Sequence, residues 1–154
     1  MKKMPPIQKI LEAYTAIVDK HVELKNNEAL VTSSNGAKTY TVSWDNDIYH
    51  SNDNENYWQG YAGYPIIAVL MLQGKIPFDQ KLADNFASVN WNEVNAKFKR
   101  NYAKGASEVI KKKGLDEKEV MVELERVYGA LKDLPITIKR GSLRRHYPYQ
   151  VLRV

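Results

Sequence analysis

The sequence predicts an α+β fold, in which a small antiparallel sheet (about residues 28–51) packs on a buried central helix (65–73) with flanking amphipathic helices. Three patterns predict it. Apolar and polar residues alternate over residues 39–44, which is the period of a half-buried strand. Residues 65–73 are apolar almost all round, which is typical of a helix buried on every side. Elsewhere apolar residues recur at helical spacing.

The first element is predicted to be a helix within PPIQKILEAYTAIVDKHVEL, residues 5–24. Its apolar residues, together with His21, fall on one face when they are spaced at 100° per residue. Its charged residues, which include Lys9 and Glu12, fall on the opposite, polar face. We therefore expect an amphipathic helix that contacts the core along one side only.

Two turns divide the next segment into strands. Asn35-Gly36 lies between ALVTSS and AKTYTVSW, and it supplies the positive φ angles that a two-residue type I′ hairpin turn requires. Asp45-Asn46-Asp47 is a second turn candidate, and it leads to a short third strand at 47–51. A polar loop is predicted at residues 51–56.

The central helix is expected to begin near Pro65, which fits a first helical turn, and to end at Gly74 through a left-handed cap. A short helix is predicted within residues 78–89. Asn90 and Glu93 match a capping box, which starts a helix predicted to run without a break from Trp91 to Lys113.

The C-terminal part is expected to contain one more helix and one more strand. Asp116 and Glu119 match a second capping box, and the helix that follows is predicted to end near Pro135. ITIK, residues 136–139, fits a last strand. We predict one α+β domain at residues 1–138 and a basic C-terminal strand or tail at 139–154.

Composition excludes several classes of site. The sequence contains no cysteine, which rules out disulfides, thiolate zinc sites and cysteine nucleophiles. The apolar stretch at residues 62–72 is too short for a membrane-spanning helix, which needs about 20 residues. We expect no signal peptide at the N-terminus, and so a cytoplasmic protein without membrane contact.

Positive charge is concentrated in two short segments. Residues 97–113 hold seven Lys or Arg and one acidic residue, and residues 139–154 hold five and none. Lysine and arginine neutralise phosphates, so this asymmetry predicts non-enzymatic binding of an anionic partner, most of all nucleic acid. The predicted contacts are Lys97, Arg100, Lys104 and Lys111 on one face of the long helix, and Lys139, Arg140, Arg144 and Arg145 in the tail.

The aromatic and acidic segment at 44–64 supports a different hypothesis. Rings beside carboxylates and amides are typical of a pocket for a flat or sugar-like ligand, and a histidine near an aspartate is typical of a hydrolytic site. The residues of this alternative pocket are Trp44, Asp45, Asp47, His50 and Trp58. The segment has no EF-hand spacing, so no metal site is predicted.

A third hypothesis is a protein assembly module, whose tail orders on a protein partner or on a second copy of the chain. No Walker loop, GxGxxG, HExxH or RNP-like string accompanies the basic segments. The sequence therefore predicts no cofactor, assigns no catalytic residue and favours a binding protein over an enzyme.

Overall fold

The computed structural model describes residues 2–141 and confirms the α+β class. Within these residues the strands are β1 (Val22–Leu24), β2 (Glu28–Thr32), β3 (Thr39–Asp45), β4 (Ile48–Ser51) and β5 (Thr137–Ile138). The helices are α1 (Lys9–Val18), α2 (Asn54–Gln59), α3 (Tyr64–Leu72), α4 (Gln80–Asp84), α5 (Trp91–Lys97), α6 (Tyr102–Lys112) and α7 (Glu117–Asp133). Most of the predicted tail, including Arg144 and Arg145, lies outside this range.

The strands form one sheet in the order β1-β2-β3-β4-β5. The first three pairings are antiparallel, and β5 pairs with β4 in parallel through Ile48–Thr137 and Tyr49–Ile138. The predicted sheet at 28–51 is therefore confirmed. The strand predicted within residues 136–139 forms β5 at one edge, and β1 adds a strand at the other edge that was not predicted.

The predicted central helix is confirmed as α3, whose residues Pro65–Met71 are all buried. It packs against α1 and against β1, β3 and β4. Gly74 adopts the expected left-handed conformation just after the helix, with φ of 73°. Each fully buried Ile, Leu or Val side chain contributes about 1.5–3 kcal/mol, so α3 is a major part of the apolar core.

The two predicted hairpins form, but only one has the predicted turn. Asn46, with φ of 55°, and Asp47 connect the paired residues Asp45 and Ile48. The predicted type I′ turn at Asn35-Gly36 is wrong, since the connection between β2 and β3 takes residues 33–38. The Asn35 side chain instead accepts a hydrogen bond from the Ala37 amide at 2.9 Å, which favours a wider turn.

The first helix is shorter than predicted, and its polar side is buried together with its apolar side. It ends at Val18, Lys20 follows with φ of 59°, and the segment after His21 becomes β1, because its backbone pairs with β2. Residues 9–16 are all buried. The prediction that Lys9 and Glu12 lie on the polar face of this helix is therefore wrong.

The predicted polar loop at 51–56 is partly helical. Asp53 extends its carboxylate to the amide of Asn56 at 3.1 Å and so caps the N-terminus of α2. This capping interaction satisfies a backbone donor that the first turn of a helix leaves free, and it explains why a polar segment folds into a helix here.

The unbroken helix predicted from Trp91 to Lys113 is wrong. Lys99 and Arg100 have φ of 51° and 65°, so they end α5, and the Asn101 side chain caps α6 by accepting from the Lys104 amide. α6 then packs so closely on α5 that a Cβ atom at Gly105 would lie 3.0 Å from Val94. The break therefore allows the apolar side of α6 to pack against α5.

We expect the core to tolerate loss of the Tyr14 hydroxyl better than loss of the Tyr49 hydroxyl. The hydroxyl of Tyr14 is buried without a hydrogen-bond partner among the described residues, whereas that of Tyr49 donates to Gln73 at 2.7 Å. Tyr14→Phe should lower the free energy of unfolding by less than about 0.5 kcal/mol, or should raise it. Tyr49→Phe should lower it by about 1 kcal/mol. Urea unfolding measures both; a larger loss for Tyr14→Phe would contradict the structure.

Candidate functional site

A polar cleft of about 470 Å³ opens where α1, α2, α5 and α6 meet the N-terminal end of β3. This volume lies within the range of small-molecule sites, which is about 300–1,000 Å³. Amide side chains from α2 and α5 line it, together with charged and aromatic side chains. The charged lining residues are Lys9, Glu12, Asp53, Glu55 and Arg100, and the aromatic ones are Tyr40, Trp58, Tyr61, Tyr64 and Tyr102.

The floor of the cleft is a buried charge cluster around the Lys9 ammonium. This ammonium lies 2.8 Å from a carboxylate oxygen of Glu12 and 2.8 Å from one of Glu55. It also lies 4.1 Å from the centre of the Tyr102 ring, as in a cation–π contact. Lys9 is 3% exposed and Glu12 is 7% exposed, so the pair is shielded from solvent.

Further hydrogen bonds hold the two carboxylates of this cluster. Glu55 accepts a hydrogen bond from the Tyr61 hydroxyl at 2.8 Å. Glu12 accepts one from the Asn95 side chain at 3.4 Å, which connects α1 to α5. The cluster thus joins α1, α2, Tyr61 in the segment after α2, α5 and α6.

Burial and charge shift the pKa values of the cluster in opposite ways. Burial by itself lowers the pKa of Lys9, but the carboxylates of Glu12 and Glu55 more than offset it, and the pKa lies above its ordinary value. Lys9 is therefore a fixed cation. Burial raises the pKa of Glu12 in spite of the opposing charge of Lys9, with a smaller contribution from Glu55.

Asp53 is the second deeply buried acid of the cleft, at 4% exposure. One oxygen, Oδ2, accepts from the Asn56 amide, while Oδ1 is buried without a partner among the described residues. Burial raises the pKa of Asp53, and the hydrogen bond with Ser51 opposes this shift. A Cβ atom at Gly63 would lie 2.6 Å from Oδ2, so glycine is required there for the close approach of the carboxylate.

Aromatic side chains form the walls and the mouth of the cleft. Tyr40 and Tyr64 meet edge to face, with ring centres 6.5 Å apart. Trp58 is 62% exposed and contacts Tyr57 edge to face, with ring centres 4.7 Å apart. A large ring this exposed beside a cleft is available to pack against a bound molecule.

The break between α5 and α6 shapes the opposite rim. It places the exposed Arg100 at the cleft and brings the Tyr102 ring over Lys9. Lys99 and Arg100 are consecutive non-glycine residues with positive φ, a conformation that costs of order 1 kcal/mol or more per residue. Such strained backbone clusters at functional sites.

Only Trp58 of the predicted alternative pocket lines the cleft. Trp44 stacks on Tyr49 with ring centres 5.9 Å apart, and His50 lies in β4, where it pairs with Ser43. Asp45 and Asp47 are exposed at the turn between β3 and β4. The structure therefore does not bring these four residues into the cleft with Trp58, because strand pairing holds them at the other end of the hairpin.

The predicted basic residues are distributed over separate surfaces. Arg100 lines the cleft, while Lys104 and Lys111 are exposed on α6. Lys97 lies 3.7 Å from Glu108, so its charge is partly compensated. Two further members follow β5: Lys139, whose amide donates to the Tyr49 carbonyl, and Arg140, whose side chain lies against Gly60.

The most deeply buried residues of the cleft were missed in the sequence, although a signal for them exists. The polar residues of α1 are Lys9, Glu12 and Thr15, which recur every three residues on an otherwise apolar helix. A helix that is apolar on all its other sides is expected to be buried, and a narrow polar stripe on it then faces a polar site. Periodicity alone assigns Lys9 and Glu12 to the solvent side.

Two kinds of feature are absent from the described part of the chain. Residues 2–141 contain no group of three or more His, Asp or Glu side chains placed to hold a metal ion. Among the helices of the same range, none has both the length and the apolar character that crossing a bilayer requires.

Comparison with protein families assigns the chain to one of them. Residues 2–137 match the model of the family described as Uncharacterised conserved protein UCP014422. The chain belongs to this family. The match includes every residue of the UCP014422 chain that lines the cleft. No curated protein and no solved structure matches the sequence.

We expect Lys9 to be essential for stability because it compensates two carboxylates. Lys9→Met should lower the free energy of unfolding by about 3–5 kcal/mol at neutral pH, the usual cost of removing one partner of a buried ion pair. Lys104→Met, at an exposed position, should change it by less than about 0.5 kcal/mol. Urea unfolding of the two variants measures the difference.

The loss of stability caused by Lys9→Met should depend on pH. An acid whose pKa is raised by folding binds more protons in the folded state, so its contribution to stability increases as pH falls towards that pKa. Since the pKa of Glu12 is already raised by burial, the loss caused by Lys9→Met should shrink between about pH 7 and about pH 5. A loss that is small, or equal at both pH values, would contradict a buried charge cluster.

Proposed function

We propose that the protein is a binding domain for a small polar ligand, which enters the cleft between α1, α2, α5 and α6. The observation that carries this proposal is the coexistence of an open cavity of ligand size with deeply buried charged groups on its floor. Charged side chains are costly to bury, and their concentration in a concave site is typical of functional sites.

The composition of the walls supports binding of a polar molecule with an apolar or flat part. Asn92 and Asn95 offer amide donors and acceptors on one side, and Asn54 and Gln59 offer them on the other. The exposed Trp58 ring offers a surface for packing at the mouth. This proposal keeps the idea of the pocket predicted from the aromatic segment, but with a different set of residues.

Trp58→Ala should abolish ligand binding without unfolding the protein. We expect a panel of monosaccharides, amino acids, nucleosides and diamines to contain a compound that raises the melting temperature of the wild-type chain. At about 100 times Kd the expected rise is about 5 °C or more. The same compound should leave the Trp58→Ala variant unchanged, because the packing surface at the mouth is lost.

Val122→Ala provides the matched control for this experiment. Val122 is an apolar side chain of α7 as exposed as Trp58, and it lies outside the cleft lining. This variant should respond to the compound as the wild type does. Compounds that stabilise all three proteins equally would show that binding occurs elsewhere and would refute the proposal.

A second candidate function is binding of a polyanion, most of all nucleic acid, through the exposed face of α6. Lys104 and Lys111 are seven residues apart, which places them on the same side of the helix. Both are exposed, and neither has an ion-pair partner within residues 2–141. Uncompensated cations on one helix face favour contact with phosphates.

Charge reversal on α6 tests this second function. Lys104→Glu with Lys111→Glu should weaken binding to generic single- and double-stranded nucleic acid, and it should reduce the slope of log affinity against log salt by about 0.7–0.9 per lost phosphate contact. The control is Lys118→Glu with Lys132→Glu on α7, which changes the net charge equally. Equal effects of the two double variants would show that only net charge matters.

A further inference from the structure

The buried part of the cleft carries an excess of negative charge. Lys9 is its one buried cation within residues 2–141, whereas Glu12, Asp53 and Glu55 contribute three carboxylates. Arg100 is exposed at the rim and faces water, so it offsets this excess only weakly. The interior of the cleft therefore attracts a cation, and the attraction is stronger where solvent is excluded.

Two of these carboxylates have an oxygen without a hydrogen-bond donor. Lys9 and Asn95 both contact Oε2 of Glu12, which leaves Oε1 without a partner among residues 2–141. Asp53 uses Oδ2 for the cap of α2, and its Oδ1 is likewise unpartnered. A buried acceptor without a donor, such as Oδ1 of Asp53, costs about 1–3 kcal/mol, which a ligand that donates there recovers.

Tyr40 and Tyr64 line the same cleft as the carboxylates of Glu12 and Asp53. Burial, followed by the charges of Asp53 and Glu55, raises the pKa of Tyr40, and burial together with Tyr40 and Glu12 raises that of Tyr64. These shifts agree with a geometry in which the two rings lie next to the acids. The negative face of an aromatic ring attracts organic cations and adds to the attraction of the carboxylates.

The cleft already contains one ammonium bound in this way. The Lys9 ammonium lies between two carboxylates and over the Tyr102 ring. Lys9 neutralises only part of the buried negative charge. Oε1 of Glu12, which neither Lys9 nor Asn95 contacts, and the unpartnered Oδ1 of Asp53 offer acceptors with the same chemistry. A primary ammonium suits it because its three N–H groups can donate to several acceptors at once.

We propose that the ligand of the cleft is a primary alkylammonium, whose N–H groups donate to Glu12 and Asp53 beside the rings of Tyr40 and Tyr64, and whose carbon chain packs on Trp58. This inference rests on the ligand-binding function proposed above and names its chemical class. The same group occurs in free organic amines and in the lysine side chains of polypeptides.

Matched probes of one length test the charge requirement. 1,5-Diaminopentane, pentane-1,5-diol and glutarate present a cation, a neutral group and an anion on the same carbon chain. NMR titration of the full chain, followed at the indole N–H of Trp58, gives Kd for each. We expect the diamine to bind at least tenfold more tightly than the diol, and glutarate to bind most weakly.

Nα-Acetyl-lysine N-methylamide distinguishes the two sources of the ammonium. This probe presents the lysine side chain as a polypeptide does. Preference for it over the diamine would assign the site to a lysine of a protein partner, and the reverse preference would assign it to a free amine. Either result supports the proposal, provided that both probes bind more tightly than the diol.

Glu12→Gln and Asp53→Asn remove charge while they keep shape, and Asp53→Asn retains an acceptor for the α2 cap. Each should weaken diamine binding at least tenfold and leave the weak diol affinity unchanged. Glu93→Gln, at an exposed acid of α5 outside the lining, should alter neither. Because the two variants lie on different elements, one of them still reports if the other fails to fold, which circular dichroism would show.

The outcomes separate this inference from the proposed function. A diol that perturbs Trp58 as strongly as the diamine overturns the ammonium inference but leaves a ligand-binding cleft in place. Diamine affinity that survives both Glu12→Gln and Asp53→Asn also overturns it. If no probe perturbs Trp58, the inference is overturned, and the Trp58→Ala screen decides the ligand-binding function independently.

Discussion

The arrangement of the cleft depends on one buried ammonium. Lys9 contacts Glu12 within α1, Glu55 on α2 and the Tyr102 ring on α6, so a single side chain joins three elements that are distant in sequence. A buried charge is tolerated only when partners compensate the loss of hydration, which amounts to several kcal/mol per ion. The positions of α2 and α6 relative to α1 are therefore constrained by the need to supply those partners.

The same helix face also fixes α5. Thr15, next in the polar stripe of α1, donates to the Phe86 carbonyl at 2.7 Å and accepts from the Trp91 indole at 2.8 Å. Asn95, one turn further along α5, reaches Glu12. A buried hydrogen-bond network of this kind is more specific than apolar contact alone, because displacement of any member leaves further polar groups unpaired. The cleft thus lies between elements that a polar stripe holds in register.

Local sequence signals predict most of the helices and strands. Contacts between distant residues determine where the helix after Trp91 breaks and whether Lys9 is buried. The cap at Asn90 was predictable because a side chain and an amide three residues apart suffice for it. The break at Lys99 and Arg100 was not, since no Gly or Pro marks it and the docking of α6 enforces it. Lys9 was assigned to solvent because periodicity treats every charge as exposed.

The candidate site was harder to predict than the fold. Trp58 and Arg100, the two predicted site residues that line the cleft, came from different hypotheses, because each hypothesis grouped residues that are close in sequence. The most direct measurement is an NMR correlation spectrum of the lysine ammonium groups, whose protons exchange slowly only when buried and hydrogen-bonded. A buried cluster predicts a protected signal from Lys9 with contacts to the Tyr102 ring, which disappears in Lys9→Met. A spectrum without such a signal, or with one that survives the substitution, would contradict it.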